Sequence, residues 1–207
     1  MNRLLGAGGA VLLLLHAGGF AQVIEFESNG LKYQTLTKSG VTVMFTHLPG
    51  HLHDYTILQA AISNGSGAPY TIRPEDFSYQ RNDGMVLEAT PAQAVITMLM
   101  HRGTGGDVVK LITTYEAGIY GNPHFKSTNG YEERRRAALA AFGAKVKAAA
   151  AASALALVQT KMKPGESTDG AVFFDTSGKP LIGGRVVVRT NTDVFEFHEE
   201  TLSESRP

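Results

Sequence analysis

The chain has 207 residues, with 19 Lys and Arg against 19 Asp and Glu, 23 Gly, 8 Pro and neither Cys nor Trp. A formal charge of zero leaves no surplus of cations to neutralise phosphates, which argues against a dedicated nucleic-acid binder. The absence of Cys excludes disulfides, thiolate metal sites, cysteine nucleophiles and lipid attached through sulfur, while 43% hydrophobic residues suffice for a packed core.

A short positive start, Met1-Asn2-Arg3, precedes an apolar stretch from Leu4 to Gly19. Small residues then gather at Gly19-Phe20-Ala21, so the segment reads as a secretory signal peptide cleaved after Ala21. The alternative is an uncleaved anchor, but Gly6, Gly8, Gly9, Gly18 and Gly19 dilute its hydrophobicity. The expected location is the periplasm or the exterior, at the cell envelope.

From Val23 to about Leu87 the pattern is β. Val41, Val43 and Phe45 alternate with Thr42 and Thr46 after a Ser39-Gly40 turn, and Leu58, Ala60 and Ile62 alternate with Gln59 and Ser63. Asn64-Gly65-Ser66-Gly67 closes the second run, a reversal expected to use residues that tolerate positive φ. Asn82-Asp83-Gly84 between Phe77-Ser78-Tyr79 and Met85-Val86-Leu87 is a hairpin signal.

Thr90-Pro91-Ala92-Gln93 then opens a helix to about Arg102, with Thr90 as the expected cap. Gly103-Thr104-Gly105-Gly106-Asp107 reads as a flexible connection: it lacks the Lys of a nucleotide loop and follows a helix instead of opening one. Residues 107–130 are ambiguous between strand, short helix and long loop. Glu132 to about Val158, with twelve alanines between Ala137 and Ala156, predicts one long helix capped by Asn129 or Thr128. Its Leu139, Phe142 and Val146 stripe is expected to pack against a neighbour. Lys145 and Lys147 argue against a membrane span there, so no transmembrane helix is expected after signal cleavage. Strand patterns return at Ala171–Phe174, Gly184–Val188 and Asp193–Phe197, before a polar tail over 199–207.

Asn64-Gly65-Ser66, Pro69, Ile72, Asp76-Phe77, Asp83-Gly84, Pro164-Gly165-Glu166-Ser167, Gly170 and Val172-Phe173-Phe174 occur in an order that resembles a family of secreted bacterial immunoglobulin-like domains of unknown function. The resemblance covers about Val41–Leu87 and Met162–Phe197. It implies a sandwich fold and a binding habit, with no catalytic residues to carry over. Two departures stand out: no lipidation Cys follows the signal segment, and about 70 largely helical residues interrupt the strand series.

The sharpest chemical cluster is His47, His51, His53 and Asp54. Imidazole and carboxylate are good first-row metal ligands, so zinc or copper is the candidate ion, set against a solvated His-rich loop. The spacing misses the His-x-His-x-Asp-His pattern of binuclear metallohydrolases, because Asp54 comes one residue early and no His follows. Arg134, Arg135 and Arg136 are the candidate partner-binding residues, although three successive helical positions spread around the helix. Asn64-Gly65-Ser66 matches a glycosylation sequon that also serves as a turn. No Gly-x-Ser-x-Gly elbow or other recognisable catalytic motif is present.

The expected architecture is therefore mainly β with an α insertion (α+β): one immunoglobulin-like antiparallel β-sandwich over residues 22–198, with two helices inserted at about 90–160. The expected function is an exported, non-catalytic, envelope-associated binding or assembly module without a cofactor, engaging an envelope protein. A His-rich metal-binding periplasmic protein is the alternative.

Overall fold

The computed structural model describes residues 22–120 and 129–198. The signal segment 1–21, Thr128 with the rest of 121–128, and the tail 199–207 lie outside the described residues. The first part of the chain forms β1 (Ile24–Ser28), β2 (Leu31–Lys38), β3 (Val41–His47), β4 (Tyr55–Asn64), β5 (Tyr70–Ile72), β6 (Phe77–Arg81) and β7 (Val86–Glu88). Four helices follow: α1 (Ala92–Arg102), α2 (Gly105–Tyr120), α3 (Tyr131–Ala140) and α4 (Ala144–Leu155). The chain then returns to strands in β8 (Thr160–Met162), β9 (Ser167–Asp175), β10 (Gly184–Arg189) and β11 (Val194–His198).

The class is α+β and mostly β, with antiparallel pairing between the strands of each sheet. A five-stranded sheet has the order β1-β2-β3-β4-β9, a four-stranded sheet β11-β10-β6-β7, and β5 pairs with β8. Tight two-residue turns set the first registers. Asn29-Gly30 and Ser39-Gly40 all have positive φ, the backbone twist that matches right-handed strands. The Asn64 reversal works differently, since neither Gly65 nor Gly67 has positive φ. Instead the Asn64 side chain is the organiser: its amide donates to the Ala68 and Met162 carbonyls, and its oxygen accepts from the Ser66 N–H and hydroxyl. Asn64 is fully buried, so this sequon offers no accessible nitrogen for a sugar.

Alternation sorts side chains between two cores that share the five-stranded sheet. Val41, Val43, Phe45, Leu58, Ala60, Ile62, Val172 and Phe174 face the four-stranded sheet, where Phe77, Tyr79, Val186, Val188, Phe195 and Phe197 meet them. The opposite face of β4 and β9 presents Ile57, Ala171 and Phe173 to Val95, Leu99, Leu111, Ile112, Tyr115, Ala151, Ala152 and Leu155 of the helices. Strands β4 and β9 are therefore covered on both faces. At ~1.5–3 kcal/mol per fully buried large apolar side chain, both cores are substantial.

Four helices stand where two were expected. Residues 105–120, ambiguous in sequence, form α2 because Val108, Leu111, Ile112 and Tyr115 recur at helical spacing and are buried. The long helix expected over 132–158 is broken: Ala141 leaves helical geometry, and Gly143 adopts φ 84°, a region open to glycine, before α4 begins. Alanines let α4 lie close to its neighbours, with Ala148, Ala149, Ala151 and Ala152 all buried. The first helix starts at Ala92 without the expected Thr90 cap. Thr90 pairs with Phe173 instead, and its hydroxyl accepts from the Asp175 N–H, tying the helix entry to β9.

Candidate functional site

The loop between β3 and β4 carries the His and Asp residues singled out by sequence, and it receives the corner between α1 and α2. Leu52 anchors it, fully buried in the helix-facing core and bridged to Tyr55 by a pair of backbone hydrogen bonds. His53 follows at φ 54°, an uncommon conformation for a non-glycine residue. Around this anchor each polar side chain takes a separate partner. The His53 ring lies 3.2 Å from Asp107 Oδ2, Asp54 Oδ2 accepts from Arg102 at 2.5 Å, and the His51 ring lies 3.3 Å from the Thr56 hydroxyl. Lys110 passes beside Gly50 to donate to the His51 carbonyl. His47 closes β3 opposite Leu58, its ring edge-on to Phe45 at 5.8 Å.

These four residues therefore do not converge on one point. Among the described residues, no group of three or more His, Asp or Glu side chains is placed to hold a metal ion. His53, Asp54 and the His51 carbonyl instead tie the β3–β4 loop to the helices. The Thr104–Asp107 stretch, read as a flexible connection, is a capping box: the Thr104 hydroxyl accepts from the Asp107 N–H, and the Asp107 carboxylate accepts from the Thr104 N–H and hydroxyl. Partial burial pushes the Asp107 carboxyl up, yet the Thr104 donors and the His53 ring outweigh it and hold the pKa below the usual value.

The arginine triplet is likewise divided. Arg134 donates to the carbonyls of Ala154 and Asn129, tying α3 to the end of α4. Arg135 pairs with Glu116 on α2, and only Arg136 of the three is exposed. Two of the three candidate partner contacts are internal ties.

A buried polar layer under α2 and α3 went unread in the sequence. Tyr115 donates to Asp169 on β9, and the Asn129 amide donates to the same carboxylate at 3.0 Å and to the Asp169 carbonyl at 2.7 Å. Asn129 also accepts from the Tyr131 N–H, but Gly130 and not Asn129 occupies the cap position of α3. Burial first, and then the Asp169 charge, push the Tyr115 hydroxyl far above the usual tyrosine value. Gly118 lies beside this layer, where a Cβ would push on the Gln59 amide, and its carbonyl accepts from Tyr33 at 2.8 Å.

Elsewhere, a shallow cavity of about 290 Å³ lies between the β6–β7 hairpin and β10. Arg81 and Arg185 line it, but each already has a carboxylate partner, Asp83 at 3.1 Å and Glu196 at 3.3 Å. Among the described residues the most exposed of the large apolar side chains is Phe142, 97% exposed at the turn from α3 to α4, with Leu139 and Val146 on either side of it in sequence also exposed. The stripe expected to pack against a neighbour is only partly covered within the described residues, with Leu139 at 36% and Val146 at 44% exposure, because the break at 141–143 carries it to the tip of the helix pair. No helix among the described residues is long and apolar enough to cross a membrane.

No protein-family model and no curated protein matches this sequence. The crystal structure of the yjhA protein from Bacillus subtilis aligns with 86% of this chain and 96% of that chain at 7% identity, with a TM-score of 0.35. A likeness at that level assigns neither a fold family nor an activity.

Proposed function

We propose that this chain is an exported, non-catalytic binding or assembly module of the cell envelope, an immunoglobulin-like sandwich whose inserted helices carry the docking surface. The observation that carries the reading is the α3–α4 tip, where Phe142 is 97% exposed beside Leu139 and Val146. A folded chain that buries Phe in both cores yet presents another fully to water has a use for it outside its own core. The polar candidates support the same reading, since His53, Asp54, Arg134 and Arg135 serve to hold the helices in place.

Deleting residues 131–160 would remove α4 and its buried alanines, so substitutions confined to the tip are the cleaner test. The wild-type chain is expected to co-fractionate with the envelope of the exporting cell. A variant carrying Leu139→Ser and Phe142→Ser is expected to move to the soluble exported fraction while keeping its thermal midpoint. A wild-type chain found wholly in the soluble fraction, or turnover of a substrate by the purified protein, overturns the proposal.

A further inference from the structure

The tip that carries the binding reading also has a charge pattern that narrows its partner. Residues 136–147 contain Arg136, Lys145 and Lys147 and no Asp or Glu. Of these twelve residues, only Ala138 is buried, and Leu139, Phe142 and Val146 are exposed among the cations. The nearest acid along α3, Glu133, lies one helical turn before Arg136, and Glu132 is occupied by Tyr120. Leu139 precedes the turn, Phe142 sits in it, and Val146 follows it on the first turn of α4. An exposed aromatic side chain in a segment that carries three cations and no carboxylate of its own suits a surface that is apolar underneath and anionic above.

A second copy of this chain fits less well, because two tips meeting would bring six cations together with no acid between them. A tightly packed protein groove would meet flexible Lys side chains at its rim, whereas a lipid headgroup layer accepts their stems and ammonium groups together. We propose that residues 136–147 dock on an anionic lipid surface, with Phe142 entering the boundary between headgroups and acyl chains. The inference rests on the binding-module reading and names the partner of its tip.

The chain has no Trp, so Phe142→Trp places its sole indole at the contact. Full-length Phe142→Trp protein is mixed with vesicles of phosphatidylglycerol and phosphatidylcholine, or of phosphatidylcholine alone. The expected result is a shift of indole emission to shorter wavelength with the anionic vesicles, greatly reduced with the neutral ones and in about 0.5 M salt. Lys145→Gln with Lys147→Gln should weaken binding on the order of tenfold, as should Phe142→Ser, whose exposed position leaves the fold intact. Any lipid affinity of the apolar stretch Leu4–Gly19 is common to all variants, so differences among them report on the tip.

Emission unchanged on vesicles that take up the protein overturns the inference, as does uptake indifferent to Phe142→Ser. A photoreactive phenylalanine at 142 separates the two levels. A protein adduct formed in the exporting cell, together with no response to anionic vesicles, overturns the lipid partner and leaves the binding module standing. No adduct, no vesicle response and no envelope association overturn both.

Discussion

At the scale of single residues, Asp169 shows how a charge is kept beneath a helix. It is 2% exposed, on a strand face otherwise covered by apolar side chains, and it holds its place by accepting from Tyr115 and Asn129. Buried carboxylates are costly unless donors surround them. Tyr115→Phe removes one donor and little volume, so the expected loss at neutral pH is about 1–3 kcal/mol, read from the urea midpoint. The pH dependence has a defined sign. Burial and then the Asp169 charge raise the Tyr115 pKa in the folded state, whereas in the unfolded chain it returns to about 10. The stability linked to that proton is fully present below pH 10 and is lost as pH rises above it, because the unfolded state gives the proton up first. Unfolding followed from pH 8 to pH 12 should therefore show a shallower alkaline decline in Tyr115→Phe than in wild type, with the gap between the two closing as pH rises; a parallel decline contradicts this assignment.

Among the elements, the question is what holds the β3–β4 loop to the α1–α2 corner. The Asp54–Arg102 pair is short, but both side chains are about half exposed, and such pairs contribute ~0–1 kcal/mol. Leu52 makes no ion pair and is fully buried in the helix-facing core. Leu52→Ala is thus expected to cost about 2–5 kcal/mol and Asp54→Ala less than about 1 kcal/mol, by urea denaturation, with Thr104→Ala between them at ~1 kcal/mol for the lost cap. A larger loss from Asp54→Ala than from Leu52→Ala would show that charge and not apolar burial holds the corner. The same elements show what sequence can and cannot reveal. Strands β3, β4, β9, β10 and β11 were legible because one face alternates large apolar residues with smaller or polar ones. The burial of the other face was not, since Gln59 and Asp169 carry no apolar signal and lie beneath helices from a distant segment. The His and Asp residue types were visible, but their partners Asp107, Arg102 and Lys110 lie 54, 48 and 59 residues away, and a Gly-rich stretch masked the Thr104–Asp107 box. The break at Gly143 was hidden by the high helix preference of the alanines on both sides.

For the whole molecule, the decisive feature is that one sheet serves two cores. Strands β4 and β9 give Leu58, Ile62, Val172 and Phe174 to the four-stranded sheet, and Ile57, Ala171 and Phe173 to the helices. The helix entry at Thr90 and the helix exit at Leu157 are both hydrogen-bonded to β9, so the helical layer is fastened at its two ends to the strand it covers. Loss of the helices would bare one face of β4 and β9 to water, and loss of the four-stranded sheet would bare the other. Neither layer can leave without weakening the shared sheet, which favours a single cooperative transition. Native-state hydrogen exchange tests this directly. Amides of β4 and β9 are expected to exchange only through global unfolding and to be the slowest in the chain. Leu99→Ala in the helix-facing core and Phe197→Ala in the other core, each costing roughly 2–5 kcal/mol, should then accelerate β4 exchange in proportion to the stability each removes. If Leu99→Ala instead frees the amides of α1, α2 and α4 while β4 keeps its wild-type protection, the helices unfold as a separate unit and the sheet stands without them.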